Sequence, residues 1–259
     1  MYMSDIDMGW LLSTMREAGS IALSHFGKTK GTLKSDASWV TKADLDVEAF
    51  LRKELALNRP EDSILGEEGD NPEPESAIVW AIDPVDGTRA FNHGFPIWGV
   101  SVGVLQDGIP TLGAFILPAI GDLYYTDGET AYYNSIPLEP PEPELNSNAV
   151  LLVSEGAYDE LRILSTCRLF SLGSAAAHLC YVARGSAVGT FDRASVWDYA
   201  ASAAILKAVG ISIRHLSGSE LDFCTLYSGT PVQEPTLACS PCHFEDLQSN
   251  AEPVNPPQI

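Results

Sequence analysis

The sequence predicts a layered α/β protein. Two amphipathic helical patterns open the chain, an almost unbroken series of strand patterns fills its middle, and strands then alternate with helices. A length of 259 residues suffices for a substantial core, as one large domain or two intimate halves. A hydrophobic fraction of 45% and a mean hydropathy of +0.02 fit a soluble globular chain rather than a disordered one.

From Ile6 to Phe26, residues Ile6, Trp10, Met15, Ala18, Ala22 and Phe26 recur at near-helical spacing, and Gly27 ends the pattern. Residues 27–40 are polar and read as a loop or hairpin. A second helix runs from Asp44 to Asn58, burying Val47, Phe50, Leu51 and Leu55, with Pro60 beyond its end. Residues 63–66 form a short strand that delivers Glu67 and Glu68 to a turn, and residues 70–76 form an exposed loop. Ile78 to Ile82 is a buried strand ending at Asp83, because Pro84 cannot donate to a ladder; Asp86-Gly87-Thr88 then opens a helix.

Between Ile97 and Tyr133 the signals are β: Val100, Val102 and Val104 alternate, and Asp107-Gly108 marks a turn. The Pro/Glu/Asn-rich stretch 137–148 is the best candidate boundary, either a long surface loop or a linker dividing an amino-terminal half (1–140) from a carboxyl-terminal half (141–259). Beyond it come a strand at 150–154, a helix at 174–184 between Ser174 and Gly185, a strand at 189–192 and an Ala-rich helix at 197–209 stopped by Gly210. Residues 211–216 and 237–240 are further strands, and the tail after Asn250, with three prolines, is expected to be disordered. No internal repeat is visible.

A net charge of −20 with no offsetting Lys/Arg cluster argues against a nucleic-acid partner. No apolar run approaches the roughly 20 residues that span a membrane. Five cysteines, an odd number, and no basic, apolar leader in the first ten residues point to a reduced, cytoplasmic protein. Cys239 and Cys242 have the spacing of a zinc or redox pair but lack a second pair. No histidine pair has ligand spacing, and Gly-x-Ser-x-Gly is absent, so neither a His-based zinc site nor a serine hydrolase is supported.

The chemistry concentrates in Asp83-Pro-Val-Asp-Gly-Thr88. Two carboxylates three residues apart, on a rigid turn at a strand end, suit a hard cation such as Mg²⁺, which commonly shares its oxygen ligands with a substrate phosphate. The Gly87 and Thr88 amides at a helix start can hold that phosphate. Helix capping by Asp86 is the alternative, and it leaves Asp83 and Pro84 unexplained. Four other places fit around the turn: Gly66-Glu67-Glu68, Thr41 to Asp44, Trp197-Asp198, and Gly173-Ser174-Ala175. For Asp44 and Asp198, helix capping is the competing role.

Together these residues resemble the inositol monophosphatase family of metal-dependent, lithium-sensitive-type phosphatases, in the expected order from Thr41 to about Val209. The Asp-Pro-(Ile/Leu/Val)-Asp-Gly-Thr motif is complete, and Gly66-Glu67-Glu68, Trp197-Asp198 and His93-Gly94-Phe95-Pro96 accompany it. The resemblance implies an αβαβα sandwich of the sugar phosphatase type, the site lying between the halves, and a homodimer. It implies that Glu67, Asp83, the Val85 carbonyl, Asp86 and Asp198 hold two or three Mg²⁺ ions, which can clamp the attacking and leaving oxygens of an in-line displacement. Asp44, paired with Thr88, would orient and help deprotonate the attacking water; Glu67 would also belong to the catalytic set. Gly173, Ser174 and Ala175 would face the alcohol portion of the substrate, and so would Asp192, whose spacing to Trp197-Asp198 is shifted by about one residue and for which a plain strand-end turn role is the alternative. The chain departs from the pattern at Arg89-Ala90-Phe91, where Arg89 meets either a substrate anion or a surface acid such as Glu68, and at Lys207 to Gly210. Lys34 or Asp36, in the loop 27–39, is expected near a metal. The implied reaction is hydrolysis of a small phosphomonoester, most simply inositol monophosphate, with histidinol phosphate, fructose 1,6-bisphosphate and adenosine 3′,5′-bisphosphate as alternatives. The rival of another class is a non-catalytic regulatory protein on the same fold.

Overall fold

The computed structural model describes residues 6–35 and 38–254. The elements follow in chain order: α1 (Met8–His25), β1 (Thr32–Leu33), β2 (Trp39–Val40), α2 (Lys42–Asn58), β3 (Ser63–Gly66), β4 (Ile78–Asp86), α3 (Thr88–His93), β5 (Gly99–Gln106), β6 (Ile109–Leu117), β7 (Asp122–Thr126), β8 (Ala131–Tyr133) and β9 (Ile136–Pro137). After the Pro-rich stretch come β10 (Val150–Val153), α4 (Glu155–Tyr158), β11 (Leu161–Ile163), β12 (Arg168–Phe170), α5 (Ala175–Ala183), β13 (Gly189–Asp192), α6 (Val196–Ala208), β14 (Ile213–His215), β15 (Thr236–Cys239), α7 (Phe244–Ser249) and β16 (Ala251–Pro253).

Two large sheets and three helical layers result. Strands β3 to β9 make a seven-stranded sheet in sequence order, antiparallel apart from the β3–β4 pair. A five-stranded mixed sheet has the order β12-β10-β13-β15-β14. The period of two along a strand sorts side chains to opposite faces. In β4, Trp80 and Ile82 pack with Met15, Ala18, Val47 and Leu51 of α1 and α2. Val79 and Ala81 pack on the other face with Ala176, Leu179, Tyr199 and Ala203 of α5 and α6, which Leu152 and Ala238 of the second sheet also meet. The outer face of that second sheet, with Leu151, Phe191 and Leu237, is covered by Ala157 of α4 and Leu247 of α7. This is the expected αβαβα order. Close approach of α6 to the first sheet requires small residues on both sides. A Cβ on Gly103 or Gly113 would lie 2.4 Å from the α6 backbone at Ala201.

Helix α1 begins at Met8 behind the Asp7 cap, and it buries Leu11 and Thr14 rather than Trp10, which is half-buried. Helix α2 begins earlier than its periodicity suggested, because Thr41 and not Asp44 is the cap. Pro84 does not end β4. The strand continues to Asp86 through a bulge, pairing Asp83 with Ser101 and Asp86 with Gly99, so the proline sits where no ladder donor is needed. The chain after Asn250 is ordered as far as Pro253, since β16 pairs antiparallel with β11; residues 255–259 lie outside the described residues. Helices α4 and α7 and strands β11, β12 and β16 were not anticipated: each has three to six residues, too few for a periodic pattern. All five cysteines are free thiols. Burial pushes Cys239 up to about 12, the opposite of a reactive thiol. Among the described residues no helix is long and apolar enough to cross a membrane.

Candidate functional site

The bulge in β4 aims two carboxylates into one cleft. Asp83 is buried, and its Oδ1 accepts a hydrogen bond from the Val85 amide at 3.0 Å. Asp86 leaves the strand toward α5, where its carboxylate accepts from the Ser174 hydroxyl and from the amides of Ala175 (3.2 Å) and Ala176 (3.0 Å). It therefore caps a helix 88 residues downstream and not its own, with its charge at the positive end of α5. Gly87, in the left-handed region at φ 91°, permits this junction. A Cβ there would lie 2.8 Å from the Gly173 carbonyl oxygen, so any side chain would be strained and would push the two segments apart.

Two helix starts bring further aspartates. At α2, Asp44 Oδ2 accepts from the amide (2.7 Å) and hydroxyl (2.5 Å) of Thr41, while Oδ1 faces the Thr88 hydroxyl at 3.2 Å. That hydroxyl also lies 2.9 Å from the Val85 carbonyl oxygen. At α6, Asp198 Oδ2 accepts from the Ser195 amide at 2.7 Å. Asp83, Asp86 and Asp198 each present an oxygen within 4.8 Å of the others. Glu67 is close enough to raise and be raised by them, and Lys34 Nζ reaches Glu67 at 3.6 Å and Glu68 at 2.6 Å.

Crowding like charges out of water should be costly, and the acidities record it. Burial, followed by repulsion from Asp198, holds Glu67 well above the usual carboxylate range. Burial, with Glu67 and then Asp86 adding to it, does the same to Asp83. Burial lifts Asp86 to about 6 against the opposing Ser174 hydrogen bond, and burial together with Asp86 lifts Asp198 to about 7. Asp44 is raised by burial, with the Thr41 and Thr88 hydrogen bonds opposing the rise. A cluster of hard oxygen donors whose charges are mutually unfavourable fits a small divalent cation.

Glu67, Asp83, Asp86 and Asp198 floor a cleft of about 530 Å³, which Asp44 does not itself line. Gly87, Thr88, Arg89, Gly173, Ser174 and Ala175 line it. Ser174 is only 2% exposed and its hydroxyl is committed to Asp86. Arg89 pairs with Glu155, a surface acid, and not with Glu68. Asp192 is not brought to the cleft. It is buried at the end of β13, where its carboxylate accepts from Thr190 Oγ1 (2.7 Å) and lies 3.4 Å from His178 Nδ1. Its sequence neighbour Arg193 faces the cleft instead, paired with Glu160. Glu155, Arg193, Trp39 and His178 were not singled out from sequence, because nothing local marks a side chain that reaches the cleft through the tertiary fold. Ser195 could have been: a serine three residues before Asp198 is a cap signal. Asp36 lies outside the described residues.

Comparison with known proteins shows the family and the fold. The model of the inositol monophosphatase family matches residues 10–247. A histidinol-phosphatase of Chlorobaculum parvum is 32% identical over 218 residues, covering 79% of this chain and 83% of the relative. Inositol monophosphatase 3 of Solanum lycopersicum is 32% identical over 227 residues, covering 80% and 85%. Among solved structures, the extragenic suppressor protein suhB from Bartonella henselae superposes with a TM-score of 0.81 at 23% identity, covering 94% of this chain and 97% of the other.

Proposed function

The chain belongs to the inositol monophosphatase family, which makes it a phosphomonoester hydrolase rather than a binding module, and on that footing we propose that it performs Mg²⁺-dependent hydrolysis of a small phosphorylated alcohol, most simply inositol monophosphate. One observation carries the proposal: the converging oxygens of Asp83, Asp86 and Asp198, beside a Thr88 hydroxyl that faces Asp44. Asp83, Asp86, Asp198, Glu67 and the Val85 carbonyl are assigned to Mg²⁺, two or three ions. When bound, Mg²⁺ supplies positive charge to the phosphoryl group and the attacking water.

The chain's own groups do the rest. The Gly87 and Thr88 amides hold phosphoryl oxygens. Thr88 orients a water, and Asp44, made more basic by burial, accepts its proton. As the new P–O bond forms, the ester P–O bond breaks, the leaving alcohol oxygen takes a proton from solvent water, and Asp44 returns its own to solvent. Gly173 and Ala175 border the alcohol. Histidinol phosphate is the second reading, favoured by the name of the Chlorobaculum relative. The free thiols favour a reducing, cytoplasmic setting. A homodimer is favoured by the exposed Leu169 and Phe170 on edge strand β12.

The test is phosphate release, with and without Mg²⁺, from inositol 1-phosphate, histidinol phosphate, fructose 1,6-bisphosphate and adenosine 3′,5′-bisphosphate. Turnover of one of them, lost in Asp86→Asn, supports the assignment and names the alcohol. Turnover that survives either Mg²⁺ removal or the substitution would refute it.

A further inference from the structure

The turn that carries Glu67 is held from behind by a helix face. Glu48 lies one helical turn after Asp44 on α2, on the same side, and is only 4% exposed. Its Oε2 accepts from the Glu68 amide at 2.8 Å, and its Oε1 accepts from Arg52 Nε at 2.7 Å. Arg52 Nη2 donates in turn to Asn71 Oδ1 at 3.3 Å. Asn71 closes the turn by accepting from the Gly66 amide (2.8 Å) and donating to the Gly66 carbonyl (2.7 Å). On the other side, the Glu67 amide donates to the Ile82 carbonyl of β4 at 3.3 Å.

Both glycines that flank the glutamate pair are explained by this support. A Cβ on Gly66 would stand 2.7 Å from Glu48 Oε1, and one on Gly69 would stand 2.4 Å from the same atom. An ordinary Glu–Arg pair one turn apart on a helix is an exposed feature of small effect. Here the glutamate is buried, and it spends its second oxygen on the backbone of the turn.

We propose that Glu48 is a positioning residue: through the Gly66–Gly69 turn it holds Glu67 in register with Asp44 on the same helix, and so sets the cation affinity of the site without touching cation or substrate. The proposal rests on the reading that Glu67 gives an oxygen to Mg²⁺. Groups that orient metal ligands are commonly worth about 10- to 100-fold in metal affinity or activity.

The test is a calorimetric Mg²⁺ titration of the full chain, with the melting temperature in EDTA recorded for each variant. Glu48→Ala is expected to weaken Mg²⁺ binding about tenfold or more and to lower kcat, with KM for the phosphoester unchanged. Gly69→Ala, whose Cβ would stand 2.4 Å from both Glu48 Oε1 and Arg52 Nη2 and so displaces that pair, is expected to weaken binding in the same direction. Glu48→Gln, whose amide oxygen still accepts from Glu68, is expected to stay within about threefold of wild type. Should Glu48→Ala fail to fold, Gly69→Ala decides in its place. Wild-type Mg²⁺ affinity in the deciding variant overturns the proposal, provided that Glu67→Gln loses it. Unchanged affinity in Glu67→Gln as well would instead refute the role given to Glu67.

Discussion

The starts of α2 and α6 use the same device and put it to different ends. In each, an aspartate three residues after the cap returns one oxygen to the cap's backbone amide: Asp44 to Thr41 and Asp198 to Ser195. At α2 the capping oxygen also takes the Thr41 hydroxyl, and the second oxygen meets Thr88. At α6 the Ser195 hydroxyl turns away to the Gly229 carbonyl, and Asp198 is left beside Asp83 and Asp86. The hydrogen bonds partly offset burial at Asp44, whereas repulsion from Asp86 adds to burial at Asp198 and carries it to about 7. Donors stabilise the charged form of Asp44 against its burial, whereas neighbouring carboxylates leave Asp198 in want of a positive charge. Capping and chemistry are therefore not alternatives, since a carboxylate has two oxygens and can give one to each.

The sharpest way to break this contrast is to neutralise each aspartate. Asp44→Asn and Asp198→Asn should both lower kcat by roughly 10²- to 10⁴-fold, measured as phosphate release. Their metal-free stabilities should differ: at pH 8 in EDTA, Asp198→Asn melts higher than wild type because a repelled charge is gone, and Asp44→Asn gains less. An equal gain in both would end the distinction. Next in size is Gly87→Ala, which strains the close approach of the β4 turn to the start of α5. It should destabilise the protein by about 1–3 kcal/mol in urea unfolding, and a neutral effect would contradict the close approach to Gly173.

Acidity gives a third handle. Asp86 and Asp198 are raised from 3.8 to about 6 and about 7, so between pH 4 and 7 the folded, metal-free chain binds more protons than the unfolded one. Stability is then greatest near pH 4 with respect to these groups and is lost as pH rises through 6 to 7. The increase in melting temperature on adding Mg²⁺ should accordingly be larger at pH 8 than at pH 5; the reverse order would contradict the assigned ligands. The smallest effect separates the two caps. Thr41→Ala and Ser195→Ala should each cost about 1 kcal/mol. Only Thr41→Ala should also disturb kcat through Asp44, because only Thr41 gives its hydroxyl to the aspartate.

Legibility in the sequence followed the same division. The β4 turn, the Glu67 turn and the starts of α2 and α6 were readable because their chemistry sits in contiguous residues, and so were the long helices and the β-rich middle, whose periods repeat. What escaped depended on contacts distant in sequence. Asp86 caps a helix 88 residues on, Arg89 finds Glu155, and Asp192 turns its carboxylate to His178 while Arg193 takes the cleft. Along a strand neighbouring side chains alternate in direction, so a one-residue uncertainty at 192–193 exchanged an interior residue for a cleft residue. The bulge at Pro84 escaped for a related reason: a proline reads locally as a strand end, and only the partner strand β5 reveals that pairing resumes at Asp86.

The measurement that tests the central claim most directly is Mg²⁺ binding, by calorimetry at pH 8, to wild-type, Asp44→Asn and Asp198→Asn protein. The account predicts binding to wild type and, with similar affinity, to the inactive Asp44→Asn, and loss of binding in Asp198→Asn. Equal binding in all three, or hydrolysis that persists after Mg²⁺ is stripped, would contradict it.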